Sequence, residues 1–397
     1  MAKITFKNDI KPKICSSNDF ITYNWKEIQI ISAEYSNYSG LTILSYHNLD
    51  DPSKRLSYYI SKRGKDISGF NLDIINRTPN ETVKYDGAHT IALVGGSSMG
   101  LESICGIQEI VLKDNIYWYN KILNEKERNE QPFLPLHERI YGVCCYTKNL
   151  SIDRNYIYPD LKLGKFAMKN LYKNARSKIY QTQKIYLKQS GVGLNSTVAK
   201  LNTFGKNDNS WAENYVLGGV GAKFFEKDDL KILIIINLNS VGLVHDNYKL
   251  LHEFPKGANN IGEDIRKYNK NLNKLKDDIL NGTNKNLKPS NTTLSIICTN
   301  MEIPDNLKEK LTEELHDEIE SMIFPYGTIE DGDTLFLCST WDISYQKNFK
   351  DLTKPLIREC IKSVFINNQK GGAKENYNEL YLKYKLKYLN SKKKIDL

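Results

Sequence analysis

The chain is short of the side-chain groupings on which metal and redox sites are built. Its seven cysteines (Cys15, Cys105, Cys144, Cys145, Cys298, Cys338 and Cys360) are odd in number and scattered, with no CxxC pair. There is no HExxH, no Cys/His cluster and no acidic calcium loop, so the usual zinc and calcium frameworks are excluded. Gly191, Gly193, Gly218, Gly219 and Gly221 follow neither GxGxxG nor Walker spacing, so no nucleotide cradle is expected. Long hydrophobic runs are missing too. The longest purely aliphatic one, Ile232 to Ile236, falls far short of the roughly 20 residues that cross a bilayer. The start, MAKITFKNDIKPK, lacks the apolar segment of a signal peptide. The expectation is a protein with reduced, buried thiols that is not secreted, with no metal, no cofactor and no membrane contact.

What is present is ordinary globular composition: 397 residues, 40% hydrophobic and 26% charged, enough for one large domain or two ordinary ones. The formal charge of +9 is concentrated at the C-terminal end, where eight lysines face three acids between Lys370 and Leu397. The rest is only mildly basic, a poor argument for a nucleic-acid-binding core.

Residues 1–24 read as a polar leader. Residues 26–48 alternate apolar and polar and predict a strand hairpin; 88–94 and 139–147 predict buried strands. "LESICGIQEIVL" and residues 163–175 carry helical spacing. "LKILIIINLNSVGLV" (230–244) is the strongest strand signal. Residues 245–291 are charged and end in a linker, "NGTNKNLKPSN". A strand from Thr292, a helix over 306–323, a strand "TLFLCST" and a short helix over 354–366 follow. Strands and helices alternate without a βαβ rhythm, which predicts a layered α+β or α/β sandwich.

Two stretches carry candidate chemistry. Gly96-Ser97-Ser98-Met99-Gly100 satisfies GxSxG between a strand and a helix, with Ser98 as the nucleophile of an elbow. The plainer reading is a glycine turn that packs a helix on a sheet. The other stretch is "SNTTLSIICTN", where a flexible linker meets a strand at Asn291-Thr292. In an autocleaved N-terminal nucleophile the Thr292 hydroxyl attacks the Asn291 carbonyl. Hydrolysis of the ester then frees an α-amine whose reference pKa near 8 lets it serve as general base without a histidine. The plainer reading is two β-forming threonines at a strand start.

Five ordered blocks over roughly residues 25–366 add to this reading: "HTIALVGGSSMGLESICGI", "GVGLNSTVAKL", "IINLNSVGLVHD", "SNTTLSIICTN" with "LHDEI", and "DGDTLFLCST". Together they resemble the autoprocessing β-peptidyl aminopeptidase and nylon-oligomer hydrolase family, relatives of the D-aminopeptidase DmpA. That resemblance implies an αββα sandwich of two facing sheets, of the DmpA and ornithine acetyltransferase type. It implies cofactor-free hydrolysis of peptide or linear amide bonds, and a homo-oligomer, a tetramer or larger, of processed αβ units. Residue by residue it makes Thr292 the nucleophile, Asn291 the residue before the cut and Asn239 the oxyanion donor. Lys200 is the cation near the freed amine, and Asp331 and Asp333 are the acids that position them. Ala199 stands where the pattern has glycine. Tyr146, Ser97 and Ser98 fall at substrate-binding positions. The implied organisation is an α-subunit part over 25–291 (linker 245–291), a β-subunit part over 292–368 and a basic tail over 369–397.

The tail, "GGAKENYNELYLKYKLKYLNSKKK", resembles a tyrosine–lysine tag of giant DNA viruses and implies docking to a virion or an acidic surface, in host cytoplasm or particle. Two other readings stay open. One is a packaged viral structural or interaction protein that keeps the fold without turnover. The other is an acyltransferase of the ornithine acetyltransferase type.

Overall fold

A computed structural model of the chain describes residues 10–47, 55–64, 67–72, 87–121, 140–147, 157–176, 182–199, 216–240, 242–247, 249–252, 292–324, 326–327 and 331–365. The main strands in chain order are β1 (Pro12–Ile14), β2 (Ile28–Tyr35), β3 (Ser39–Tyr46), β4 (Ser57–Gly64), β5 (Gly69–Phe70), β6 (Thr90–Val94), β7 (Ile140–Cys144), β8 (Gly219–Lys227), β9 (Leu230–Leu238), β10 (Leu294–Met301) and β11 (Gly332–Ile343). The long helices are α1 (Glu102–Lys121), α2 (Leu161–Ala175), α3 (Asp305–Glu320) and α4 (Phe349–Ser363).

The strands form two mixed sheets. The first has the order β1-β2-β3-β6-β7-β5 and the second β8-β9-β10-β11-β4. Strand alternation sorts their apolar residues onto opposite faces. Leu233 and Ile235 of β9, Leu294, Ile296 and Cys298 of β10, and Phe336 and Cys338 of β11 share one core with Leu44, Ile91, Leu93, Tyr141 and Val143 of the first sheet. The alternate residues, among them Ile232, Ile234, Ile236, Ile297, Leu335 and Leu337, pack on Leu311, Leu315 and Ile319 of α3 and Leu356, Ile357 and Ile361 of α4. The outer face of the first sheet buries Ile31, Ile43, Ala92 and Val94 against α1 and α2. The layers are therefore helix, sheet, sheet, helix, the αββα sandwich that the resemblance implies. β9 and β10 are buried on both faces, which is why they read as continuous apolar runs rather than alternating ones. Helices α1 and α2 touch through glycines: a Cβ on Gly106 would lie 2.2 Å from the Leu161 carbonyl oxygen, and one on Gly164 would lie 2.0 Å from that of Ser103.

Several elements differ from the sequence reading. The described part of the "leader" is built into the body. Pro12–Ile14 pairs with β2, and Phe20–Tyr23 pairs with Gln183–Tyr186. Its polar residues misled because these strands lie at edges, where one side faces solvent. The segment read as a linker from 245 starts as structure: Leu243–Asp246 pairs with Lys249–Leu250 and with Ile323–Phe324. Residues 253–291 lie outside the described residues. The helix read over 354–366 begins earlier, at Phe349, with Pro355 in its second turn. Strand β4, whose Tyr58-Tyr59-Ile60 is followed by the polar Ser-Lys-Arg-Gly, was not read as a strand, yet it forms the edge beside β11. Six of the seven cysteines are buried and all are free thiols; Cys105 is exposed. Among the described residues no helix is long and apolar enough to cross a membrane.

Candidate active site

Thr292 stands where the central strand of the second sheet begins. The β9–β10 register pairs Asn237 with Leu294, and continuing it two residues sets Asn239 opposite Thr292. The Thr292 N–H donates to the Asn239 carbonyl at 3.0 Å, and the Thr334 N–H donates to the Thr293 carbonyl at 3.0 Å. Both threonines are thus held in sheet-like pairing just ahead of the ladder. Alternation puts Thr292 on the face of Leu294 and Ile296, between the sheets, where it is 3% exposed. Asn237 and Asn239 share the face of Leu233 and Ile235. Thr293 takes the opposite, helix-facing side.

Asn239 is fully buried, with its side-chain amide engaged at both ends. Its Oδ1 accepts from the Thr197 N–H at 3.0 Å, and its Nδ2 donates to the Tyr146 carbonyl at 3.0 Å. The amide plane is therefore fixed relative to the Thr292 backbone, the preorganisation that a donor to a developing oxyanion needs. Tyr146 meets the site through its carbonyl.

The acids come from the start of β11, and both are 1% exposed. Asp333 Oδ1 accepts from the Thr293 N–H at 2.5 Å, and Oδ2 accepts from the Gly327 N–H at 3.1 Å. Burial, and then the neighbouring Asp331 charge, push the Asp333 carboxyl well above the usual carboxylate range, outweighing the two amide donors. Asp333 thus grips the backbone one residue after Thr292. Behind the pair, buried His316 bridges Ser61 (Nδ1 to Oγ, 2.7 Å) and Tyr326 (Nε2 to Oη, 2.6 Å). Burial, then Arg63, lowers its pKa to about 3.

Lys200 and Asn291 lie outside the described residues. Ala199, next to Lys200, has φ +60°. That explains the glycine of the resembled pattern, since a left-handed residue with a Cβ costs about 1–2 kcal/mol. Asn195 also has positive φ, and its Nδ2 donates to the carbonyls of Asn37 and Tyr38 on the β2–β3 hairpin turn.

Ser97 and Ser98 sit at the turn after β6. Gly96 has φ +83°, and the Ser97 N–H donates to the Cys145 carbonyl at 2.8 Å. Ser98 is exposed in a helical turn of four residues. The strained non-glycine position of the turn is Ser97, at φ +59°, not Ser98. The hydrogen bonds of His47, His89 and His316 run to Ser45, Thr90, Ser61 and Tyr326, and His252 accepts from the Val244 amide. The two-sheet sandwich is moreover not the fold that carries a serine elbow. The motif is a turn that packs a helix on the first sheet.

Three further residues frame the site without having been singled out from the sequence. Asn237 Nδ2 donates to Cys145 Sγ at 3.3 Å, and its Oδ1 accepts from Ser196 Oγ at 3.2 Å. The one available signal was the Asn-Leu-Asn at the end of the strongest strand, which puts two amides on one face.

The fold is a variant of the Ntn hydrolase fold. The L-aminopeptidase D-Ala-esterase/amidase of Ochrobactrum anthropi, whose structure is described as such a variant, superposes with a TM-score of 0.50 at 10% identity, covering 88% of this chain and 82% of that one. In sequence the chain is similar to the 6-aminohexanoate-oligomer endohydrolases. It is 23% identical over 263 residues to the enzyme of that name from Paenarthrobacter ureafaciens and 24% identical over 263 residues to that of Agromyces sp. (strain KY5R). Each match takes in 65% of this chain and 62% of the relative's length. No protein-family model matches the chain.

Proposed function

We propose that the protein is a self-cleaving amidohydrolase with Thr292 as its N-terminal nucleophile, acting on peptides or linear amide oligomers. One observation carries the reading: Thr292 is buried at the head of the central strand, bonded through its backbone N–H to Asn239, whose side-chain amide is locked at both ends. Attack of the Thr292 hydroxyl on the Asn291 carbonyl gives an ester, and water then releases the Asn291 carboxylate and the Thr292 α-amine. That amine takes the Thr292 hydroxyl proton as it attacks a substrate carbonyl and returns a proton to the leaving amine; water, deprotonated by the same amine, then cleaves the Thr292 ester, releasing the carboxylate and restoring the hydroxyl. Asn239 donates to the oxyanion. Lys200 lowers the amine's pKa, and Asp331 and Asp333 hold the segment, Asp333 through the Thr293 N–H. Both pieces would stay together after the cut, because β10 lies between β9 and β11 of one sheet.

Intact-mass analysis of purified protein tests the cut. Two pieces are expected, the smaller beginning Thr-Thr-Leu-Ser, with a single full-length chain for Thr292→Ala. A wild-type chain that stays whole through prolonged incubation at neutral pH refutes the proposal. The named activity of the sequence relatives makes 6-aminohexanoate oligomers the first substrate to try, with aminoacyl p-nitroanilides to separate exo- from endo-cleavage. The cut units are proposed to assemble as homo-oligomers, which light scattering reads directly.

The basic tail is proposed as a docking element for a virion or another acidic surface, separate from catalysis. The body's last helix and the buried Phe365 precede it. Truncation after Asn368 is expected to leave self-cleavage intact and to abolish retention on heparin at low salt. Unchanged retention would exclude the tail as the docking element.

A further inference from the structure

The two asparagines at the end of β9 form a ladder of two rungs. The outer rung, Asn239, spans from the Thr197 N–H to the Tyr146 carbonyl. The inner rung, Asn237, spans from the Ser196 hydroxyl to the Cys145 thiol. Consecutive residues of the glycine-rich loop are thus tied to consecutive residues of the segment leaving β7, each through one amide side chain. Asn237, Ser196 and Cys145 are all 0–1% exposed. The same two segments lead to other candidate residues of the site. The loop runs on through Ala199 to Lys200, and Cys145 accepts at its carbonyl from the Ser97 N–H.

We infer that Asn237 is a positioning residue: it sets the separation of the two walls and so the aim of the Asn239 amide. The inference rests on the reading of Thr292 and Asn239 given above. A core with no such task would not favour an amide at this place. A thiol is a weak acceptor, so the Asn237 Nδ2–Cys145 bond adds little stability compared with an aliphatic side chain of similar volume. It does fix geometry. A displacement of about 1 Å at an oriented group is enough for losses on the order of 100-fold in rate.

The test compares Asn237→Leu with the single-partner variants Ser196→Ala, Cys145→Val and Cys145→Ser. Self-cleavage is followed by mass, and hydrolysis of a 6-aminohexanoate oligomer and an aminoacyl p-nitroanilide is followed per cut subunit. Asn237→Leu is expected to lower kcat and the self-cleavage rate by about 30–100-fold with KM within about twofold. Ser196→Ala and Cys145→Val are each expected to lower kcat about 5–10-fold, with no further loss when added to Asn237→Leu. Cys145→Ser restores an acceptor and should recover at least half of the Cys145→Val loss. If Asn237→Leu does not fold, the Cys145 and Ser196 variants decide alone. A merely structural role predicts a smaller folded fraction with unchanged kcat per cut subunit, and no difference between Cys145→Ser and Cys145→Val. Either result overturns the inference and leaves the parent reading intact. A wild-type chain that neither cuts itself nor hydrolyses either substrate overturns both.

Discussion

Replacing His316 with glutamine should flatten the acid side of the stability curve. In the wild-type fold His316 is fully buried between Ser61 and Tyr326, and two hydroxyl partners satisfy either neutral tautomer. Burial, reinforced by Arg63, lowers its pKa from the ordinary 6.5 to about 3. Below the unfolded pKa the unfolded chain therefore binds a proton that the folded chain refuses. Stability from the neutral ring is complete above about pH 6.5 and is lost as pH falls towards 3. Between pH 7.5 and pH 5 the loss from this one ring is about 2 kcal/mol. Asp333 works in the opposite sense, because its raised pKa makes the folded state the better proton acceptor as pH falls. It is present in both proteins and cancels from the comparison. The assay is urea unfolding at the two pH values, in a Thr292→Ala background so that chain integrity is the same throughout. His316→Gln should start less stable at pH 7.5, having lost hydrogen-bond geometry, but fall by about 2 kcal/mol less than its parent on acidification. Equal falls in the two proteins would refute the reasoning, since they would mean that His316 takes up its proton without unfolding.

Asn239→Ala should reduce hydrolysis about 100-fold, the usual cost of one oxyanion donor. It should also lower stability by about 1–3 kcal/mol, because the Thr197 N–H and the Tyr146 carbonyl lose a buried partner; steady-state kinetics and urea unfolding read the two effects separately. Unchanged kcat would displace the site. Ser98→Ala should leave hydrolysis near the wild-type rate, as an exposed residue of a packing turn, and abolished activity would restore the serine elbow.

How much was legible in advance can be followed along the second sheet. The runs Ile232–Ile236 and Leu294–Ile297 announced strands, because burial leaves a direct mark on composition; the linker read ahead of Asn291 lies outside the described residues. The helical spacing of residues 163–175 and 306–323 likewise gave α2 and α3 to within a few residues. The edge strands β1 and β4 were not legible, since an edge pairs on one side only and keeps its polar residues. The order of the five blocks pointed to Thr292, Asn239, Asp331 and Asp333 through resemblance, not through any local rule.

By itself, then, the sequence determined which segments must be buried, and through them the layered sandwich. Tertiary structure alone decided which atoms meet. Asp333 grips the Thr293 amide rather than that of Thr292, and Ser98 is a turn residue. Asn237, which no motif marked, spans the space between Ser196 and Cys145, 51 positions apart in the chain. The physical reason is that burial acts residue by residue and leaves a periodic trace in one dimension. Hydrogen bonds between loops of different sheets depend on register and sheet stacking, which are fixed only when the whole sandwich closes.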